Sequence, residues 1–331
     1  MRAFRRTPLV SVVLASYNHA PFVTTAVRSA IEQGIDELEL IVVDDGSTDG
    51  TPDLVERMGD PRIRLIRLKE NRRYNPRNLA LGFAKGRYLA FQNSDDEWKP
   101  GKLLSQLEFM DENNDISACF TGVEITDESG NAIEGSWADG LFTTENLSRT
   151  SWLRRFFDHG NYLCLPSALV RRNQVEAVGR FRASLVQLGD LDLWVRLAGV
   201  GGFHIDKRPL TRFRVVGEQN LSTPTAAAMR RYVLEYADVL ERYTEQPVFG
   251  LLRKVFSDVI PESARSESAL LAGLAIHAWS LNPSHHLFAD RVLRRILDDP
   301  AERENVVEVF GAQLVRDFIE KRGEIDVGFS E

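Results

Sequence analysis

The chain has 331 residues, 43% apolar and 27% charged, the profile of a folded soluble protein rather than a disordered or fibrous one. A net charge of −7 and a pI near 5.6 argue against non-specific nucleic-acid binding, and nucleic acid is not expected as a partner. No stretch reaches the roughly 20 apolar residues a membrane-spanning helix needs. The only two cysteines, Cys119 and Cys164, sit beside apolar neighbours, which points to reduced, buried thiols rather than a disulfide framework or a zinc site.

The opening MRAFRRTPLVSVVLAS has the basic-then-apolar order of a signal peptide. Its apolar part is only about seven residues long, the lower limit for such a region, and it runs straight into a motif-bearing segment. It is therefore read as a first strand, Leu9–Ala15, and a cytoplasmic location is expected, at the inner face of a membrane at most. Helical spacing of Phe22, Val23, Ala26, Val27, Ala30 and Ile31 predicts a helix over 21–33 that stops at Gly34. A second buried strand follows over 38–43 and ends in Asp44-Asp45-Gly46-Ser47. A short helix over 52–58, a strand over 63–68, a helix over 75–85 and a strand over 87–92 complete a β-α-β-α-β-α-β order. That order predicts a mostly parallel sheet with helices on both faces, whose ligands bind at the C-terminal strand ends.

The fourth strand delivers Asn93, Ser94, Asp95 and Asp96 at its C-terminal end. Carboxylates there suit a hard divalent cation, which often takes one or two protein oxygens plus substrate phosphates. Further on, a helix is predicted over 99–113, a strand over 116–126, a hairpin turn at 127–131 and a loop over 135–150 bordering the site. A short helix over 152–157, a strand over 163–170, a helix from Asp190 to Leu197 and an extended segment over 203–214 follow. Composition then shifts after about Thr223. From Ala226 to Arg322 the pattern is helical, and Pro247, Pro261, Pro283 and Pro300 divide it into about five helices. The tail after Gly323 is expected to fray.

Four segments together resemble an inverting family 2 glycosyltransferase of the GT-A nucleotide-diphosphosugar fold. They are VSVVLASYNHAPFV (10–23), ELIVVDDGSTDGT (39–51), NRRYNPRNLALGFAKGRYLAFQNSDDEW (71–98) and GDLDLWVRL (189–197). The resemblance covers residues 1–222 and says nothing of the rest. The expectation is an α/β, GT-A type, mostly parallel sheet flanked by helices over 1–223, followed by a C-terminal all-α region over 224–331.

The resemblance implies roles residue by residue. Ala15, Tyr17 and Asn18 would border the nucleotide base, with Tyr17 stacking on it. Asp45 would hydrogen-bond the base, usually uracil, while Asp44 holds the loop or meets the ribose. Arg72, or Arg73 beside it, would lie near the base or diphosphate, and Asn78 would tie its helix to neighbouring loops. The usual D-x-D motif reads Asn93-Ser94-Asp95 here. Asp95 is the implied ligand of Mn²⁺ or Mg²⁺, Asn93 and Ser94 lie on the nucleotide side, and Asp96 caps a helix or supports its neighbours. The loss of one carboxylate should leave the metal to arrive with the nucleotide. Asp190 occupies the position of the family base, with Gly189 where a Glu is usual. Asp192, Trp194 and Arg214 are weaker candidates for contact with diphosphate or acceptor, core packing being the commoner role of such a Trp. Arg212-Phe213-Arg214 and Gln219-Asn220-Leu221-Ser222 resemble the family's closing R-x-H…N-x-S segment, with Val216 where a His is common.

The implied activity is metal-dependent transfer of a sugar from a nucleotide-diphosphosugar, foremost a UDP-sugar, to a hydroxyl of a glycan or lipid-linked glycan in polysaccharide biosynthesis. The alternative is a degenerate, non-catalytic nucleotide- or glycan-binding scaffold, favoured by Asn93, Gly189 and Val216. Retained Asp45, Asp95 and Asp190 argue against it. A nucleotidyltransferase would want a Gly-rich basic loop after the first strand, and a nicotinamide dehydrogenase a G-x-G-x-x-G; SYNHAPFVT (16–24) supplies neither. The helical region is open to packing on the first domain, self-association, or peripheral docking on a membrane or partner.

Overall fold

The computed structural model describes residues 7–72, 76–217 and 223–322. Arg73, the predicted helix start at Asn75, the 219–222 segment and the tail after Gly323 lie outside the described residues. The chain divides into two compact units, Met1–Ser148 with Tyr162–Thr223, and Arg149–Asn161 with Pro224–Glu331.

The first unit is built on eight strands: β1 (Val10–Ser16), β2 (Leu38–Asp44), β3 (Ile63–Arg67), β4 (Tyr88–Asn93), β5 (Glu97–Trp98), β6 (Ile116–Thr126), β7 (Leu169–Arg171) and β8 (Gly202–Arg214). They lie in the order β3-β2-β1-β4-β7-β6-β8-β5. Pairs β1–β2, β1–β4, β2–β3 and β6–β8 are parallel, while β7 runs antiparallel to both β4 and β6, and β5 to β8. The sheet is thus mixed and mostly parallel. Its helices are α1 (Val23–Ile31), α2 (Thr51–Arg57), α3 (Arg77–Leu81) and α4 (Lys102–Glu112), then, beyond α5 (Arg149–His159) of the second unit, α6 (Arg172–Val178) and α7 (Gly189–Ala198).

The apolar runs explain the layers. Val10, Val12 and Leu14 on alternate positions of β1, with Leu40 and Val42 of β2, bury one sheet face against Val23, Ala26, Val27 and Ala30 of α1 and Leu103, Leu107 and Met110 of α4. Each of the Val, Leu and Met side chains contributes about 1.5–3 kcal/mol when fully buried. Gly86, just before β4, is required by close approach: a Cβ there would lie 2.4 Å from the backbone nitrogen of Ser11. Ser11 Oγ in turn accepts the Gly86 N–H at 2.7 Å.

Among the described residues β5 and α6 are additional to the expected elements, α3 covers only Arg77–Leu81 of a helix expected over 75–85, and two further elements differ in kind or length. The strand expected over 163–170 is a single 3₁₀ turn (Leu165–Ser167) followed by the short β7. Pro166 cannot donate to a ladder, and the Ser167 N–H turns back to Cys164 O at 3.0 Å. The helix expected over 152–157 extends over all of α5, and its apolar residues Trp152, Leu153, Phe156 and Phe157 are buried in the second unit. Tyr236 OH donates to the carbonyls of Phe156 and Phe157, and Tyr243 OH to that of Leu153.

The second unit continues with α8 (Ala226–Leu240), α9 (Leu252–Val255), α10 (Glu267–Ala278), α11 (Pro283–Asp298), α12 (Pro300–Phe310) and α13 (Gln313–Arg322). The proline breaks act as helix starts. Asn282 and Asp299 side chains cap α11 and α12, each with proline in the first turn. Helix α10 buries Ala269, Leu271, Ala272, Leu274, Ala275 and Ala278, which cover its whole circumference, as befits a central helix. Among the described residues no helix is long and apolar enough to cross a membrane.

Candidate active site

Parallel pairing brings the C-terminal ends of β1, β2 and β4 to one sheet edge, with Ser16 opposite Asp44 and Ala15 opposite Asn93. Past β1 the chain turns outward: Tyr17 is 43% exposed. Asn18 adopts φ 51°, a left-handed conformation that Asn tolerates better than most residues. Its N–H donates to Ser47 Oγ (2.9 Å) and its Oδ1 accepts the Thr48 N–H (2.9 Å), pinning the two loops together. Asp44 holds the second loop, accepting from Ser47 N–H at 2.9 Å and Ser47 Oγ at 2.6 Å. Asp45 is 5% exposed. Its N–H donates to Ser16 O (2.8 Å), and its Oδ1 accepts the backbone N–H of Arg72 (3.1 Å), so the main chain of Arg72 meets this carboxylate. The Arg72 residue itself is exposed.

At the end of β4, Asn93 is held from two sides. Its Oδ1 accepts from Arg77 Nη2 (2.8 Å), and its Nδ2 donates to Asp96 Oδ2 (2.9 Å). Ser94 Oγ is 2.7 Å from His19 Nδ1. Asp96 is 2% exposed, and its Oδ1 accepts the Arg214 N–H (2.8 Å) from β8. Burial pushes the Asp96 carboxyl well above the usual carboxylate range, and the charge of Asp95 adds to this. Asp95 is half-buried; burial raises its pKa while His19, Arg77 and Arg214 oppose the rise. Asp96 therefore holds the loop together, while Asp95 beside it stays part-buried.

Arg214, a candidate for diphosphate contact, is buried and turned inward. Its Nε donates to Asp95 O (2.7 Å) and its Nη1 to Glu128 O (2.8 Å) and Asp127 O (3.2 Å). It thereby ties the 127–131 turn to the backbone of Asp95. Asn78 behaves as a tie as well: its Nδ2 donates to Phe181 O (2.7 Å) and its Oδ1 accepts the Phe181 N–H (3.2 Å).

Helix α7 starts after Leu188, with Asp190 and Asp192 in its first turn, where negative charge is favoured. Asp190 is part-buried, and its Oδ1 accepts the N–H of Leu191 at 2.8 Å. Asp192 is wholly buried and pairs with Arg196 Nε (2.9 Å) and Nη2, and with Arg182 Nε at 3.4 Å. Arg196 also donates to the carbonyls of Val178, Gly179 and Arg180. Asp192 is therefore a structural ion pair fixing α7, not a substrate contact. Trp194 takes the core role expected as the commoner one: it is fully buried, edge-on to Phe120 at 5.0 Å. Of the residues of α7, Asp190 alone is not buried.

Two residues of this edge were not singled out from the sequence, His19 and Arg77. Arg77 is the more telling. Burial pushes its pKa down, while Asp190, Asp95 and Asp96, in that order, act against the decrease. A single guanidinium thus lies within electrostatic reach of the base candidate and both β4 carboxylates. Its position directly after Pro76 in the PRN run was the available signal. Both cysteines are free and buried; the Cys164 thiol is pushed up by burial, with Asp96 and Asp190 contributing.

Among the described residues, no group of three or more His, Cys, Asp and Glu side chains could hold a metal ion. A metal bound through one carboxylate and substrate phosphates is compatible with Asp95, whose carboxylate accepts no side-chain hydrogen bond among the described residues. A cavity of about 840 Å³ lies at the opposite, N-terminal edge of the sheet, lined by Glu37, Lys85, Arg87, Arg171 and Arg172 among others. Its arginines are engaged: Arg171 by the Ile116, Met110 and Asn113 carbonyls, Arg172 by Glu176, Arg87 by Asp111.

Comparison with known proteins bears on the same unit. The stretch from residue 11 to 179, about half of the chain, matches the glycosyl transferase family 2 model. The putative teichuronic acid biosynthesis glycosyltransferase TuaG of Bacillus subtilis is 42% identical over 130 residues, 38% of this chain and 51% of that protein. WfaP of Escherichia coli, a UDP-Glc:α-D-GlcNAc-diphosphoundecaprenol β-1,3-glucosyltransferase, is 42% identical over 106 residues, 31% of this chain and 41% of WfaP. The match thus spans about half or less of either relative's length. Among solved structures, Staphylococcus aureus TarS 1–349 in complex with UDP-GlcNAc aligns with a TM-score of 0.54 at 17% identity, covering 95% of this chain and 91% of that one. The Pyrobaculum calidifontis mannosyltransferase PcManGT, in complex with GDP-Man and Mn²⁺, aligns at 0.52 and 17%, covering 96% and 87%. These two show the shared fold. The chain belongs to glycosyl transferase family 2 and is a glycosyltransferase.

Proposed function

We propose that this glycosyltransferase moves a sugar from a UDP-sugar to a hydroxyl of a glycan or lipid-linked glycan, with inversion, in the synthesis of a surface polysaccharide. The observation that carries the reading is that parallel pairing of β1 with β2 and β4 gathers Ser16, Asp44 and Asn93, with the Asp45 and Asp95 that follow them, at one sheet edge. WfaP, named for UDP-Glc and a lipid-diphosphate acceptor, and TuaG, named for teichuronic acid, support the choice of donor and acceptor class.

In this reading Tyr17 stacks on the base, Asp45 accepts its N–H, and Asn18 and Arg72 shape that pocket, with Ala15, Asn93 and Ser94 along its floor. Asp190, ionised, takes the proton from the acceptor hydroxyl as the oxygen attacks the anomeric carbon. The new C–O bond forms as the bond to the diphosphate breaks, the electron pair leaves with the nucleoside diphosphate, and the anomeric configuration inverts. Asp95 is the residue to hold Mn²⁺ or Mg²⁺, which when bound supplies positive charge to the departing diphosphate. Arg77 adds fixed positive charge at the same edge. The test is calorimetric titration with UDP, GDP, dTDP and CDP, with and without Mn²⁺, followed by the Asp190→Asn variant. UDP-selective binding and an Asp190→Asn protein that binds UDP but transfers nothing are expected. Binding of none of the four nucleotides would refute the donor reading.

A further inference from the structure

We infer that His19 contacts the diphosphate of the donor, its Nδ1 held by Ser94 and its Nε2 donating to a phosphate oxygen. This assignment rests on the reading of the β1–β2–β4 edge as the donor site, and it gives to His19 a contact that the sequence suggested for Arg214.

His19 lies three residues past the end of β1, and its main chain is tied to both neighbouring helices. Its N–H donates to Thr51 Oγ1 of α2 at 3.0 Å. Its carbonyl accepts the N–H groups of Phe22 (3.0 Å) and Val23 (2.9 Å) where α1 begins. The imidazole is fixed as well. Nδ1 is 2.7 Å from Ser94 Oγ, and the ring stands edge-on to Phe22 at 6.1 Å. Ser94 is buried, whereas His19 is part-exposed. The two nitrogens of an imidazole point away from each other, so a ring anchored on a buried hydroxyl through Nδ1 directs Nε2 away from that anchor. Among the described residues Nε2 has no hydrogen-bond partner.

The other polar groups of this edge are engaged with one another. Asn93 gives Oδ1 to Arg77 and Nδ2 to Asp96, and Asp96 also accepts the Arg214 N–H. The Arg214 guanidinium is on the carbonyls of Asp95, Asp127 and Glu128. The Asn18 N–H and side chain are taken up by Ser47 and Thr48. The Asp95 carboxylate, next in the chain to Ser94, can only accept. A diphosphate arriving here therefore needs a donor, and the part-exposed edge of the imidazole supplies one. Phosphate oxygens accept, so Nε2 must carry a proton. With the Ser94 Oγ–H donating to Nδ1, the neutral imidazole places it there. Ser94, the middle residue of Asn93-Ser94-Asp95, thus holds the ring in the tautomer that serves an anion.

Two amides separate the roles of the ring nitrogens: Asn sets its amide near the place of Nδ1, and Gln reaches that of Nε2. UDP binding to the full chain is measured by calorimetry in metal-free buffer, and the weaker binding of uridine by NMR titration. UDP affinity is expected to fall about tenfold in His19→Asn, to recover in part in His19→Gln, and to fall about threefold in Ser94→Ala, where the ring loses its anchor. Uridine affinity should stay within about twofold of wild type in all three. In protein labelled with ¹⁵N-histidine, the His19 Nε2 resonance, identified by its loss in His19→Asn, should move on addition of UDP and stay in place with uridine. Wild-type UDP affinity in His19→Asn overturns the inference, because that variant can keep the bond to Ser94 and has no Nε2. Equal losses for UDP and uridine also overturn it, by confining His19 to the shape of the loop. Where a variant fails to melt cooperatively, the response of Nε2 in the wild type decides, and an unmoved resonance sinks the contact. A wild type that binds neither UDP nor uridine would overturn the donor reading and this contact together, whereas UDP binding with a silent His19 refutes the contact alone.

Discussion

Asp190 and Asp192 are two residues apart on one helix turn, yet their replacement should have opposite consequences. Asp192→Asn removes the charge from a wholly buried carboxylate whose main partner, the Arg196 side chain, is itself only 9% exposed. Breaking a buried pair from one side typically costs about 3–5 kcal/mol, because the remaining charge is left without compensation in a poor solvent for ions. Arg196 keeps three carbonyl acceptors, at Val178, Gly179 and Arg180. Arg182 loses its ion pair as well, but from a more exposed position. The lower end of the range, about 3 kcal/mol, is the expected cost, equivalent to a fall of about 6–12 °C in Tm for a domain of this size. Asp190→Asn, part-buried at the mouth of the site, should stay within about 1 kcal/mol of wild type in stability. Urea unfolding and thermal melts of the two variants, side by side with UDP-sugar turnover, separate the roles. Asp192→Asn should be unstable and, at low temperature, active; Asp190→Asn should be stable and inactive. Equal stability of the two would refute the assignment of Asp192 to the framework.

Asp95→Asn should weaken UDP binding in the presence of Mn²⁺ while leaving metal-free binding nearly unchanged; calorimetry that finds equal losses in both conditions would remove Asp95 from the metal site. Lys102 is fully buried against Gln106 and Trp98, and burial lowers its pKa to about 7. The unfolded chain binds the proton at a higher pH than the folded one, so stability falls as pH drops from about 10 toward 7. Lys102→Met should therefore gain in Tm relative to wild type as pH is lowered over that window, and a constant gap in melts at about pH 9.5 and about pH 7 would count against it. His285, in the second unit, is buried with Nε2 facing Phe157 O, and burial holds its pKa to about 4. Its imidazole is neutral when folded and protonated when unfolded between those limits, so stability is full above about pH 6.5 and falls through that window by up to about 3 kcal/mol. The drop in urea midpoint from about pH 7 to about pH 5 should shrink in His285→Gln.

What sequence reading could and could not reach follows from how far apart the deciding partners lie. The β-branched runs of β1 and β2 and the Asp and Asn caps of α11 and α12 carry their signals within a few residues, and they were legible to within a residue or two. The interrupted strand before β7 was not, because Pro166 reads as an isolated proline until Trp98 is seen donating to its carbonyl at 2.8 Å from another part of the chain. The same limit applies at the site. The motif already ranks Asp190 ahead of Asp192, but the physical reason, the burial of Asp192 against Arg196 and Arg182, is visible only in the fold. Arg214 looked like a phosphate ligand until its guanidinium was found on the Asp95 and Glu128 carbonyls. Arg77 was overlooked for the converse reason: its neighbours, Asn93 sixteen positions on and Asp190 beyond that, are brought together only by the sheet. The Asn93 substitution reads as loss of a ligand in a linear motif. In the fold its amide bridges Arg77 and Asp96, at 2.8 and 2.9 Å, and a motif departure of that kind can be interpreted only once its partners across the fold are known.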